Sequence, residues 1–229
     1  MRYEFSPLMD DRATAPGRRA REESSQAVAG RRRRAASARE VLAATRRLLA
    51  GGEPVAQLSV GRILAEAGVS RATFYACFPD KNAVIGSLAQ QSLAWREEVS
   101  GEALGDPRMT RETLDELMRA IVRHWRANRP VLAAIIELAE HDPGMRAAWG
   151  AAVGEIATHT AGHLRERWAG SPDAPADPDA VAAAMTWMFE RCCHQLVVDD
   201  TSAETVAMAL SEILWRTVTY RVSGTADHG

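Results

Sequence analysis

Between Leu58 and Lys81 the chain reads LSVGRILAEAGVSRATFYACFPDK, and this window concentrates side chains that donate hydrogen bonds to oxyanions and base edges. Ser59, Ser70, Thr73 and Tyr75 supply hydroxyls, and Arg71 and Lys81 supply cations. Donors of this kind hold phosphates, and an arginine can also take the acceptor edge of a guanine. A second basic group, Arg31 to Arg34, lies shortly upstream. Such residues become a nucleic-acid reader only if a rigid element presents them together.

The spacing supplies that element. Ser59 caps a first short helix whose apolar residues, Val60, Ile63, Leu64 and Ala67, recur at helical intervals. Gly68 ends it in the left-handed conformation that glycine takes without steric cost. Val69 anchors the turn, and Ser70 caps a second helix that carries Thr73 in its first turn. Phe74 and Phe78, four apart, face inward, and Arg71, Ala72, Thr73, Tyr75 and Cys77 are left outside the core. The free amides and positive dipole end of the second helix suit phosphate. Pro79-Asp80 closes the segment, with Asp80 as cap of a helix that begins at Lys81. Two short helices about a glycine turn form the helix-turn-helix that seats its second helix in the major groove of DNA.

With Ala67-Gly68-Val69-Ser70-Arg71, Thr73-Phe74-Tyr75, Phe78-Pro79 and Lys81, preceded by a helix bearing Val41, Leu42, Thr45, Leu48 and Leu49, the chain resembles the TetR family of bacterial transcriptional regulators over roughly residues 37 to 90. The resemblance implies an all-α protein, and the pattern of caps, breaks and apolar spacing along the chain gives about nine helices. A three-helix DNA-binding head would sit on a larger helical domain that dimerises and holds an effector. It places Arg71, Ala72 and Thr73 at base edges or nearby backbone, and Ser59, Tyr75 and Lys81 on phosphates, with Ser70 at the helix end between them. Two departures stand out: Cys77 where the family often has a tyrosine or histidine, and Leu64 where a small alanine is usual. Met188-Phe189-Glu190-Arg191 and the aromatic last helix also loosely resemble the ethionamide-resistance branch.

Charge is segregated along the 229 residues. Residues 1–39 hold ten arginines against five acids, a balance of +5, and the rest hold eighteen basic against twenty-five acidic residues, a balance of -7. The net charge of -2 therefore hides a basic excess beside the reading head. Residues 1–35 mix Arg, Ala, Ser, Gly and Pro and are expected to be a disordered arm. Within it Arg31, Arg32, Arg33 and Arg34 would either enter an adjacent minor groove or add non-specific phosphate affinity. There is no signal peptide and no apolar run of bilayer length, so a soluble cytoplasmic protein without a membrane partner is expected.

Past the head, assigned to residues 36–82, helical periodicity dominates to residue 223, with a short disordered tail at 224–229. One helix runs from Lys81 to about Ser100, and another begins near Thr110 and is interrupted by Pro130, which starts a short apolar helix. A long helix to about Trp168 follows the break at His141-Asp142-Pro143-Gly144. Asp177-Pro178 opens the next helix, and Ser202 with Glu204 opens the last. Trp95, Met118, Ile121, Trp125, Trp149, Met185, Met188 and Phe189 are candidates for an apolar effector pocket. Ala182, Cys192, Val206, Leu210, Ile213, Leu214 and Thr217 are candidates for a four-helix dimer seam. A dimer would set two heads about 34–36 Å apart, the separation of successive turns of the duplex.

Other chemistry finds little support. Cys192-Cys193-His194 are adjacent on a helix and point apart, so they make a poor metal cage. His159 and His163 share a helix face without the acidic partner of a zinc protease motif. Cys77 could be a thiol whose oxidation blocks DNA binding. No phosphate loop, dinucleotide fingerprint or nucleophile elbow occurs, so neither enzyme activity, metal nor cofactor is expected. The partners expected are an operator duplex, a second copy of the chain and an apolar small molecule. Two other readings are an arm-driven DNA organiser of low specificity and a ligand-binding protein whose head has lost its operator.

Overall fold

The computed structural model describes residues 18–219 other than 105, 107 and 173. Eight helices occupy them: α1 (Arg18–Ala50), α2 (Val60–Ala67), α3 (Arg71–Cys77), α4 (Lys81–Leu104), α5 (Arg111–His141), α6 (Pro143–Arg167), α7 (Pro178–Leu196) and α8 (Asp200–Thr219). No strand occurs among the described residues. The fold class is all-α.

Three elements differ from expectation. Residues 18–35, expected to be a disordered arm, belong to α1, so Arg31–Arg34 sit on a helix. Arginine and alanine are good helix formers, and the helix continues backward from the packed turns at Val41 and Ala44 without a break. Residues 1–17 and the tail at 224–229 lie outside the described residues.

Pro130 does not divide α5, which is why eight helices stand where about nine were expected. A proline in a helix interior removes one backbone bond and costs roughly 3 kcal/mol. Here Ile121, Val122 and Trp125 are buried before it and Val131, Leu132 and Ile135 after it, so straightening the helix buries several large side chains at once. Burial of each contributes on the order of 2 kcal/mol, which offsets the lost bond.

The last helix begins at Asp200 rather than Ser202. The Asp199 carboxylate accepts from the Ser202 amide (2.7 Å), and the Ser202 hydroxyl oxygen accepts from the Asp199 amide (2.9 Å). The cap is thus reciprocal, with Ser202 as its third helical position.

α1, α2, α3 and the start of α4 form a small head around Val41, Ile63, Phe74 and Val84. In the body, α5 packs against α4, α6, α7 and α8 and also reaches α1. Charged clasps bind α8 to α5: Arg111 to Glu212 (2.5 Å), Arg119 to Glu204 (2.7 Å) and Arg126 to Asp200. The buried Ser211 hydroxyl donates to Asp115, which holds that carboxyl below the usual carboxylate range.

Candidate nucleic-acid interface

The head is built from short-range bonds. The Ser59 hydroxyl accepts from the Arg62 amide (3.2 Å) and starts α2. Gly68 ends it at φ 65°, its amide donating to the Leu64 carbonyl (3.0 Å). The Ser70 hydroxyl accepts from the Thr73 amide (3.1 Å) and starts α3, and the Ser70 and Thr73 hydroxyls lie 2.8 Å apart. Phe74 has no exposed surface and Phe78 little, so the two rings bolt α3 to the head. Arg47 pairs with Glu66 (2.7 Å) and Arg62 with Glu53 (3.1 Å), which steadies α2 against α1 and the connecting loop.

With those rings anchored, other side chains of the head reach the surface. Ser59, Ser70, Arg71 and Ala72 are exposed, Thr73 is half-buried, and Tyr75 is 49% exposed with its ring edge-on to Phe74. These residues share the head's outer surface. Lys81 is placed differently: its ammonium donates to the Val55 carbonyl (3.0 Å) and is half-buried. One of its three donors therefore ties the α1–α2 loop to α4. Asp80 caps α4 as expected, accepting from the Ala83 amide (2.8 Å). Arg31–Arg34 are all exposed.

Two polar joints connect head and body. Arg46 donates to the Asn128 side-chain carbonyl (2.6 Å), and the Asn128 amide donates to the His124 backbone carbonyl (2.9 Å). The His124 ring lies 3.0 Å from the Ser92 hydroxyl and stacks on Trp95 at 3.9 Å between ring centres. Burial lowers the pKa of His124, with the Arg46 charge as a lesser contribution. At the second joint Asn82 donates to Asp142 (3.2 Å), whose other oxygen caps α6. None of Arg46, Asn82, Ser92, His124 or Asn128 emerged from the sequence as a site residue, because their partners lie 32 to 82 positions away.

In the body, Met118, Ile121, Met185, Met188 and Phe189 line one narrow cavity of about 50 Å³, joined by Arg96, whose guanidinium lies 4.7 Å from the Phe189 ring centre. The expected tryptophans are not on its wall. Trp95 is taken up by His124, Trp125 meets Phe189 edge-on at 6.4 Å, and Trp149 is buried in α6. The expected dimer stripe is also divided. Ala182, Val206, Leu210 and Leu214 are buried within the chain, and Leu210 and Leu214 line the cavity. Cys192 and Thr217 are half-buried, and Ile213 on α8 is 43% exposed. An α8 stripe at three- and four-residue steps (Ala203, Val206, Leu210, Leu214, Val218) is consumed by the chain's own core, leaving Ile213 outside it.

Cys193 is buried, which pushes its thiol far above the usual range, and Cys192 is half-buried. The three cysteines are free, and among the described residues no three His, Cys, Asp or Glu side chains gather to hold a metal ion. Nor, among these residues, is any helix long and apolar enough to cross a membrane.

Comparison with known proteins agrees with this geometry. Residues 41–88 match the family described as bacterial regulatory proteins, tetR family. No curated protein sequence matches the chain. Among solved structures, Salmonella enterica GusR is 19% identical, with 80% of this chain and 96% of that one aligned at a TM-score of 0.62. Thermus thermophilus FadR, a TetR-family transcriptional repressor in complex with lauroyl-CoA, is 20% identical, with 82% and 98% aligned at 0.61. The regulatory protein TetR from Rhodobacter sphaeroides is 20% identical, with 76% and 96% aligned at 0.58. At these identities the likeness establishes the fold over the aligned part of the chain, and the sequence match covers the head. Residues 41–88 thus form a tetR-family regulatory domain, carried on a chain that shares, over about four-fifths of its length, the fold of solved TetR-family transcriptional regulators.

Proposed function

We propose that the protein is a homodimeric DNA-binding repressor that reads a palindromic operator through α3 and is released by a small molecule lodged in the body. The observation that carries this reading is the contrast between buried and exposed side chains on α3. Phe74 and Phe78 fix α3 in the head, while Arg71, Ala72 and Tyr75 stay exposed and Thr73 half-buried, beside the capped N-terminus at Ser70. Arg71, Ala72 and Thr73 then meet base edges, and Ser59, Ser70, Tyr75 and the remaining Lys81 donors meet phosphates.

Dimerisation is supported by apolar surface left uncovered on the last two helices. Trp187 on α7 and Ile213 on α8 are 41% and 43% exposed, and Leu196 at the end of α7 and Val198 just after it are more so. A second copy packed there would cover Trp187, Ile213, Cys192 and Thr217 in a four-helix seam.

Release is supported by the position of the cavity. Its wall includes Arg96, Ser100 and Leu104 of α4, the helix whose first turns are tied to the head by Lys81 and to the body by Asn82. A volume of about 50 Å³ holds a few waters, so an effector must push the walls apart. It therefore binds an expanded body more tightly than this one, which is the differential affinity a population shift requires. The chemistry of the wall calls for an apolar molecule, and the FadR complex with lauroyl-CoA shows a related fold holding an acyl compound.

The test is selection of DNA from a library of short genomic fragments, followed by titration of the winner and a scrambled duplex at two salt concentrations. A palindrome preferred by about a thousandfold is the expected result. Equal, salt-sensitive binding to both duplexes overturns the specific reading in favour of a DNA organiser.

A further inference from the structure

Because α1 continues as a helix well before the head, its arginines have fixed directions, which a flexible arm would not give them. The half-buried Cys77, at the last turn of α3, donates its thiol to the Arg34 backbone carbonyl (3.5 Å). α1 therefore passes directly against the C-terminal end of the helix proposed to read DNA. Successive helical residues are turned by about 100°, so residues seven apart nearly superimpose in projection. Arg34 is seven before Val41, which has no exposed surface and packs in the head core, with Ala38 on the same side between them. Arg34 thus extends the face of α1 that looks toward the head. Arg31 lies one turn earlier on a neighbouring line. Arg32, two positions from Arg34, is turned by about 200° and projects from the opposite side. Among the described residues no carboxylate pairs with any of the four arginines.

We propose that α1 holds Arg34, supported by Arg31, as a fixed contact to the phosphates at the C-terminal end of α3, on the strand that borders the groove α3 occupies, and that Arg32 faces away from the duplex. The inference rests on the reading of α3 as the DNA-contacting helix. The partner is identified by charge, an exposed basic helix beside a polyanion, and by continuity with the surface of α3. The helix fixes the backbone and so the direction in which each arginine leaves it, so one well-placed arginine can outweigh others nearby.

The experiment compares Arg34→Gln with Arg32→Gln in the full chain. Both remove one charge from an exposed helical position and leave the head core untouched. The probe is the tightest 40-base-pair duplex that the unaltered protein recovers from a random library, titrated across a series of salt concentrations and mapped by hydroxyl-radical footprinting. One phosphate contact in each of two subunits changes the slope of log affinity against log salt by about 2. Arg34→Gln is expected to lower the slope by about that amount, weaken binding roughly tenfold at about 0.1 M salt, and shorten protection at both outer edges. Arg32→Gln is expected to leave slope and protected length nearly unchanged. Equal losses in the two variants overturn the fixed contact and leave a diffuse basic tail, while sequence preference through α3 stands. Recovery of no preferred duplex by the unaltered protein overturns the reading of α3 as well.

Discussion

Head and body are both helical, yet they are held together over very different distances along the chain. In the head, Ser59, Ser70 and Asp80 each bond an amide three positions later, and Phe74 and Phe78 are a single turn apart. In the body, Arg126 reaches Asp200, Arg119 reaches Glu204, and Arg111 reaches Glu212, pairs separated by 74, 85 and 101 positions. A part assembled from local bonds keeps its shape when its surroundings move. A part assembled from distant pairs can change its packing as a unit, which is what the proposed opening of the cavity requires.

The comparison is most easily broken at Phe74. Phe74→Ala removes a fully buried ring and should cost about 3–5 kcal/mol. Amide exchange should quicken through α1–α3 while α5–α8 remain protected; uniform loss of protection would mean that head and body are one cooperative unit. Changes on the outer face of α3 separate recognition from stability. Arg71→Ala, Thr73→Ala and Tyr75→Ala should each weaken binding to a selected duplex by about 1–3 kcal/mol with unchanged melting. Unchanged affinity would remove that residue from the interface.

In the body, Glu190 gives a test of opposite sign. It is buried next to Phe189 in sequence, both carboxylate oxygens lack a hydrogen bond, and the Arg191 guanidinium is 3.8 Å away. Burial raises its pKa above that of the unfolded chain. Its stabilising contribution is therefore complete at low pH and lost as pH rises through the folded value. Glu190→Gln should raise Tm at neutral pH by about 2–4 °C for each kcal/mol recovered, with the gain shrinking toward pH 4. A lowered Tm at neutral pH would show that the carboxylate is needed.

Smaller effects sharpen the contrast. Ser70→Ala should cost about 1 kcal/mol in the head and leave the body unchanged, as measured by chemical denaturation. His124, at the joint between the two parts, has its pKa lowered mainly by burial. The unfolded chain then takes up this proton first, so stability should fall as pH drops below about 6.5. His124→Gln should flatten that dependence, and an unchanged pH profile would remove the joint as its source.

Glycine at 68 and serine at 59 and 70 set the turn and the caps of the head by themselves, because each acts on residues within a turn or two, and the four-residue spacing of phenylalanine at 74 and 78 marks the side of α3 that packs inward. The same local reading located most of the body helices and named Met118, Ile121, Met185, Met188 and Phe189, which line one narrow cavity. It failed where two outcomes satisfy the same local pattern. A proline at 130 can end a helix or be carried through one, and only burial on both sides decided for the latter. An apolar stripe on α8 can face its own core or a second copy, and packing against α5 and α7 assigned Val206, Leu210 and Leu214 to the core and left Ile213 outside. An arginine run can be a loose arm or part of a helix, and in α1 the continuous helix gave each side chain a direction. Residue type and short-range spacing dictate which bonds a segment can make; which distant segment completes them is settled only when the helices pack.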